Sequence, residues 1–257
     1  MAGRLSKFWE NLHQRRSLRR WQREVELAPS RGLATLRRKL NQAWALRRNL
    51  DRVIHIAENR LALPVIGGNV IRRQMGTDWA WRPALWLGPI AKSGIAATPS
   101  RTELMSGITI YHDCKRSELT ARQIRNTREA DIAPFGFRLD VFRFEGSFLS
   151  MALDLPSESL QNLRQRHIIR VDLIVELEKP LEIFARLNIK HGPNVEQIVR
   201  EMPISDSEVM VEFDLGYSKM NEKRVEKIWL DLIFENPEMN QIILRDMTLT
   251  RRPRAEL

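Results

Sequence analysis

Seven short runs rich in Val, Ile, Leu and Phe restrict the fold of this chain more than any other feature. They are Arg138 to Phe144, Phe148 to Leu155, Ile168 to Glu176, Glu182 to Lys190, Glu208 to Leu215, Ile228 to Phe234 and Ile242 to Thr250. Polar or Pro-containing connections separate them. Runs of this length and composition predict strands, and seven in succession predict an antiparallel β-sandwich. A side-chain period of two then assigns the faces. Val209, Val211, Phe213 and Leu215 share one face, and Met210, Glu212 and Asp214 the other. Ile183, Ala185, Leu187 and Ile189 point inward, which leaves Phe184, Arg186, Asn188 and Lys190 outward. Leu230, Leu232 and Phe234 fill the core, with Trp229 and Asp231 outside.

Four of these outward residues form the candidate ligand site: Arg186, Asn188, Trp229 and Asp231. They combine donors, acceptors and one aromatic platform, the mixture that recognises hydroxyl-rich ligands by hydrogen bonding and stacking. A plainer reading stands beside this one. The same face is covered by another part of the chain, and Arg186 and Asp231 pair in a partly buried network.

The N-terminal quarter has a different character. Residues 1–64 hold 15 of the 42 Lys and Arg but 5 of the 32 Asp and Glu, an excess of +10 that equals the formal charge of the whole chain. Residues 65–257 are therefore neutral. Leu5, Phe8, Trp9 and Leu12 fall at helical spacing, and Leu18, Trp21 and Val25 continue that stripe. Pro29 ends this helix and Ser30 is placed to cap the next. From Leu36 the positions Leu36, Leu40, Ala43, Arg47, Leu50, Ile54, Ala57 and Leu61 alternate spacings of four and three, a heptad seam with one basic intruder. Such a seam requires a partner helix, either the preceding helix folded back as a hairpin or a second copy of the chain.

Arg15, Arg16, Arg19, Arg20 and Arg23 admit three readings. They form the solvated face of a long helix. Alternatively they face an anionic membrane surface, where each basic residue contributes ~1 kcal/mol, with Phe8, Trp9 and Trp21 on the apolar side. In the third reading they bind nucleic acid through phosphates, and this is the weakest because no recognition motif accompanies the charge.

Between arm and strands, Leu63 to Ser100 is rich in Gly and Pro and contains Trp79, Trp81 and Trp86. An irregular connector anchored by buried tryptophans is expected there. The domain reading is a basic helical arm over 1–64, a connector over 65–106 and a β-sandwich over 107–257.

Catalytic signatures are weak. His112 and Cys114 share a face of an extended strand and make a conceivable dyad, against the reading of an ordinary buried thiol beside a strand-end histidine. His13, His55, His112, His167 and His191 lack paired metal-ligand spacing. Gly67-Gly68 lacks the context of a phosphate loop. No catalytic residue, metal or cofactor is expected. One cysteine excludes an internal disulfide framework, and no apolar run has the length of a secretion signal or membrane span. A cytoplasmic residence, peripheral to a membrane through the arm, follows as the expectation.

The later strands resemble those of galactose-binding-type jelly rolls found in many carbohydrate-binding modules. The resemblance covers residues 135 to 252, through Ile183-Phe-Ala-Arg-Leu-Asn, Glu212-Phe-Asp-Leu, Trp229-Leu-Asp-Leu-Ile-Phe and Leu244-Arg-Asp-Met-Thr-Leu. It is one of strand pattern and implies a jelly-roll-like sandwich and, by analogy, sugar binding. With Asp78-Trp-Ala-Trp-Arg-Pro, Asn126-Thr-Arg-Glu-Ala-Asp and Arg251-Arg-Pro-Arg-Ala-Glu-Leu, the whole chain is similar to an uncharacterised family of bacterial, alphaproteobacterial proteins of unknown function. The resulting expectation is a non-catalytic binding module for a glycan. Its basic arm meets an anionic membrane surface or a protein partner. The alternative is an assembly protein that forms homo-oligomers through its heptad helices.

Overall fold

The computed structural model describes residues 2–62, 70–128, 130–204 and 208–254, of which 2–14, 48, 51–52 and 54–62 by backbone alone. Residues 1–54 form one compact unit and 55–257 another. Gly67 and Gly68 lie outside the described residues, as do the side chains of Leu5, Phe8, Trp9, Leu12, Ile54, Ala57 and Leu61.

The first unit is a helical hairpin. Helix α1 (Ala2–Leu27) stops at a 3₁₀ turn over Ala28–Ser30, and helix α2 (Leu33–Ala62) follows. Pro29, which has no N–H to donate, lies in that turn. Ser30 does not cap α2 as its position suggests; its hydroxyl donates back to the Leu27 carbonyl at 3.0 Å. Glu24 joins the helices, lying 2.9 Å from Lys39 and 3.1 Å from Arg31. The Lys39 hydrogen bond holds the Glu24 carboxyl below its ordinary value of 4.5. Trp21 packs near Gln42 and Leu46. The row facing α1 follows the heptad only at Ala43: Leu36, Leu40 and Leu50 remain exposed, while Thr35, Lys39 and Ala43 are half-buried.

The second unit is a two-layer sandwich. Its elements begin with β1 (Trp79–Trp81), α3 (Ala84–Leu87), β2 (Gly94–Ile95), β3 (Arg101–Met105), β4 (Ile108–His112) and β5 (Leu119–Arg125). Then follow β6 (Phe135–Val141), β7 (Leu149–Asp154), β8 (His167–Leu177), β9 (Ile183–His191) and β10 (Asn194–Glu201). The last are β11 (Glu208–Asp214), β12 (Val225–Phe234) and β13 (Asn240–Pro253). One sheet has the order β11-β8-β13-β6-β5-β2, with β1 paired to β13; the other has the order β10-β9-β12-β7-β4-β3. Every pairing is antiparallel. From β6 onward the chain crosses repeatedly between sheets, so both inner faces contribute to one core.

Alternation explains that core. Ile183, Ala185, Leu187 and Ile189 of β9 are fully buried, as are Phe213 of β11 and Leu230 and Leu232 of β12. Six strands escape the sequence pattern. Five of them, β1 to β5, precede the first expected run, so the sandwich takes in residues expected to form an irregular connector over 65–106. Strand β3 pairs with β4 across a tight turn in which Gly107 adopts φ +80.

The tryptophan-rich stretch is anchored to the sheet that contains β13. Trp86 is fully buried and donates from Nε1 to the Leu244 carbonyl at 3.0 Å. Gln123 donates to the carbonyls of Leu85 and Gly88, both at 2.7 Å, and accepts from the Ile90 N–H at 2.9 Å. Arg82 forks onto Asp246, Nε to Oδ1 at 2.8 Å and Nη2 to Oδ2 at 2.9 Å, with both side chains buried. Trp79 and Trp81 are half-buried and stack at 6.3 Å. Among the described residues, none of the connector lines the groove on the outer face of the other sheet.

Candidate functional site

The outer face of the sheet β10-β9-β12-β7-β4-β3 carries an open groove of about 700 Å³. Strand register creates it. Arg186 of β9 pairs with Asp231 of β12, which pairs with Ala152 of β7, which pairs with Thr109 of β4. In the next row Phe184, Ile233, Ser150 and Tyr111 align; in the row on the other side Asn188, Trp229 and Asp154 do. Because β7 contributes the small Ser150 and Ala152 to this face, the surface dips between larger residues on both flanks. Tyr111 and Phe148 border the groove with Trp229. Four strands at ~4.8 Å spacing make the depression about 14 Å across.

All four residues of the sequence-derived ligand site come together here. Arg186 donates to Asp231 Oδ2 from Nε at 3.1 Å and Nη2 at 2.9 Å, and Asn188 Nδ2 donates to the same oxygen at 3.0 Å. Asp231 Oδ1 accepts from none of the described side chains. Asn188 is fully buried behind this network and lies outside the groove lining. Its amide also donates to the Arg186 carbonyl at 3.1 Å, so Asn188 positions Asp231 from behind. The paired network of the plainer reading is thus present, and it opens into the groove at Arg186, whose side chain is 35% exposed. Four residues outside that set complete the charge pattern. Lys227 binds both Asp154 oxygens at 2.8 Å and lies 5.8 Å from the Trp229 ring centroid. Lys190 pairs with Glu226 at 2.6 Å. Each cation of the groove therefore has its own carboxylate, and the face is charge-balanced.

One loop completes the rim. Asp113 accepts from the Ser147 N–H at 2.7 Å, the Ser147 hydroxyl at 2.6 Å and the Phe148 N–H at 3.3 Å. These bonds, the Ser147 hydroxyl foremost, hold the Asp113 carboxyl below its ordinary value of 3.8. The loop is tight: a methyl added at Gly146 would collide with Asp113 Oδ1 and stand 2.9 Å from Cys114 Sγ. The neighbouring His112 is not a base for that thiol. Its Nδ1 accepts the Cys114 backbone N–H at 3.1 Å and its Nε2 lies 2.9 Å from the Thr98 carbonyl, so backbone groups engage both ring nitrogens. The conceivable dyad is a loop anchor instead.

The five arginines of the anionic-surface patch, Arg15, Arg16, Arg19, Arg20 and Arg23, are all exposed on α1. At ~100° per residue they span an arc of about 140°. Among the described residues no helix is long and apolar enough to cross a membrane, and no cluster of three or more His, Cys, Asp or Glu is arranged to hold a metal.

The sandwich is similar to several solved structures. A family 11 carbohydrate-binding module from Clostridium thermocellum, in complex with a β-1,3-1,4-mixed-linked tetrasaccharide, is 9% identical with a TM-score of 0.36, covering 62% of this chain and 97% of that one. A family 61 module (TmCBM61) in complex with β-1,4-galactotriose is 16% identical with a TM-score of 0.34, covering 56% and 88%. The enzymatically active domain of bacteriophage CBA120 tailspike protein 4 is 7% identical with a TM-score of 0.39; the match covers 56% of this chain and 19% of that one. Likenesses this weak carry no information about what the groove holds. No curated protein matches the chain. Over residues 1–257 the sequence matches a family of unknown function, DUF6478, and the chain belongs to that family.

Proposed function

We propose that the groove on the outer face of β9, β12, β7 and β4 binds an uncharged glycan without catalysis. One observation carries the reading: a half-used charge pair beside an aromatic ring in an open depression. Arg186 engages Asp231 through Nε and Nη2, both on Oδ2. Nη1 and Oδ1 are thereby left as donor and acceptor for adjacent hydroxyl groups. Pairing keeps the site pre-organised and adds no net charge, which suits a neutral ligand better than an acidic one. Trp229, Tyr111 and Phe148 offer the apolar surface that the carbon face of a sugar ring requires. Arg186, Trp229 and Asp231 are the contact residues in this reading, and Asn188 supports them.

The helical hairpin serves, in the same reading, as the attachment element, because the chain's entire net charge lies in its first 64 residues. The alternative of self-association through the heptad helices has less support. Two hairpins of like charge +10 repel unless the charge is screened.

Co-sedimentation of the intact chain with insoluble neutral polysaccharides, in about 0.5 M NaCl to screen the arm, tests the groove. Binding to at least one hexose polymer is expected, with loss of about tenfold or more in Trp229→Ala. Binding that survives this substitution, or none to any polymer, contradicts the reading.

A further inference from the structure

The described part of the hairpin has two unlike sides. On α2, Leu33, Leu36, Leu40 and Trp44 are 84%, 37%, 54% and 58% exposed. At ~100° per residue they fall within an arc of about 80°, which Arg47, less than a turn beyond Trp44, enters as a basic residue at the end of the stripe. This stripe is turned away from Thr35, Lys39 and Leu46, which lie on the side nearer α1. On α1, Leu18 and Val25 are 58% and 74% exposed. Rotating both antiparallel helices about their shared contact brings Leu18 and Val25 to the same side of the hairpin as the α2 stripe. The arc of Arg15, Arg16, Arg19, Arg20 and Arg23 lies on the other side.

We propose that this hairpin lies in the interface of an anionic lipid bilayer, with the six-residue apolar side in the acyl boundary and the arginines among the headgroups. The inference rests on the reading of the arm as an attachment element and is independent of the groove. Charge complementarity selects the partner. A second copy of the hairpin repels the first. A nucleic acid satisfies the arginine side and leaves six apolar side chains in water. An anionic bilayer interface satisfies both sides at once, the pairing of a basic face with an apolar face that interfacial helices use.

Intact chain is sedimented with vesicles of phosphatidylcholine alone or mixed with phosphatidylglycerol, and a single-stranded oligonucleotide is titrated in parallel. Binding to the mixed vesicles is expected to be at least about tenfold tighter than to phosphatidylcholine and to weaken with salt. Leu40→Gln with Trp44→Gln lowers it about tenfold or more, Trp44→Phe restores most of it, and Trp229→Ala leaves it unchanged. Circular dichroism of each variant checks that the helices persist. Loss of vesicle binding in Arg19→Gln with Arg23→Gln but not in the stripe pair leaves the arm an electrostatic attachment element and overturns the bilayer inference. Absence of binding to the mixed vesicles, or tighter binding to the oligonucleotide than to them, overturns it as well.

Discussion

Asp231 Oδ2 takes three donors while Oδ1 takes none from the described side chains, and this asymmetry sets how the site responds to change. Arg186→Ala leaves a buried carboxylate without its charge partner. Complete burial would make that cost 3–5 kcal/mol in typical proteins, but Arg186 is one-third exposed, so a loss of about 1–3 kcal/mol is expected in chemical denaturation. Asp113 makes a second prediction at this scale. Its folded carboxyl is lowered by hydrogen bonds to Ser147 and Phe148. Its contribution to holding the loop is therefore complete above the ordinary value of 3.8 and is lost as pH falls through the lower folded value. Amide shifts of Ser147 and Phe148 followed against pH check this, and a midpoint at or above 3.8 contradicts it. The outward direction of Arg186, Asn188, Trp229 and Asp231 was legible from strand alternation. That Arg186 stands directly across from Asp231 was not, because register between β9 and β12 depends on pairing across 45 residues of sequence. Nor was the burial of Asn188, which results from the neighbours that register supplies.

Among elements, β7 makes the groove and the connector stabilises the opposite sheet. Ala152→Phe should fill the depression and abolish polysaccharide binding while shifting stability by less than about 1 kcal/mol, since the side chain grows away from the core. Retained binding in this variant would place the ligand elsewhere. In the connector, Arg82→Ala strands Asp246 at a buried site and should cost about 3–5 kcal/mol, read from the denaturation midpoint. The strands visible in the sequence are those whose inner face is a continuous row of apolar side chains, such as β9 and β12. Strand β10 was invisible because it is an edge, with Asn194-Val-Glu-Gln-Ile-Val-Arg-Glu exposed along most of its length. Strands β1 and β2 are too short to display a period, and β5 carries Thr120, Arg122 and Gln123 among its apolar residues. The heptad spacing left two partners open, the preceding helix and a second copy of the chain. A clasp at Glu24 and Lys39 turns α2 so that its contact row runs through Thr35, Lys39 and Ala43, leaving Leu36, Leu40 and Leu50 exposed.

Across the whole molecule, the net charge and the candidate groove lie in separate parts of the chain. Residues 1–64 carry all of the net charge, and residues 65–257 balance their own, including inside the groove. Adsorption to anionic surfaces should therefore weaken steeply with salt, whereas glycan binding should not. A chain shortened to begin after α2 should unfold cooperatively and elute from a cation exchanger without the retention of the intact protein. The most direct test is a glycan array probed in about 0.5 M NaCl with the intact chain, Trp229→Ala and Ala152→Phe. Selective binding of the intact chain to uncharged glycans, lost in both variants while their melting curves remain cooperative, is the predicted result. Binding confined to acidic glycans, or binding that both variants retain, would contradict the account.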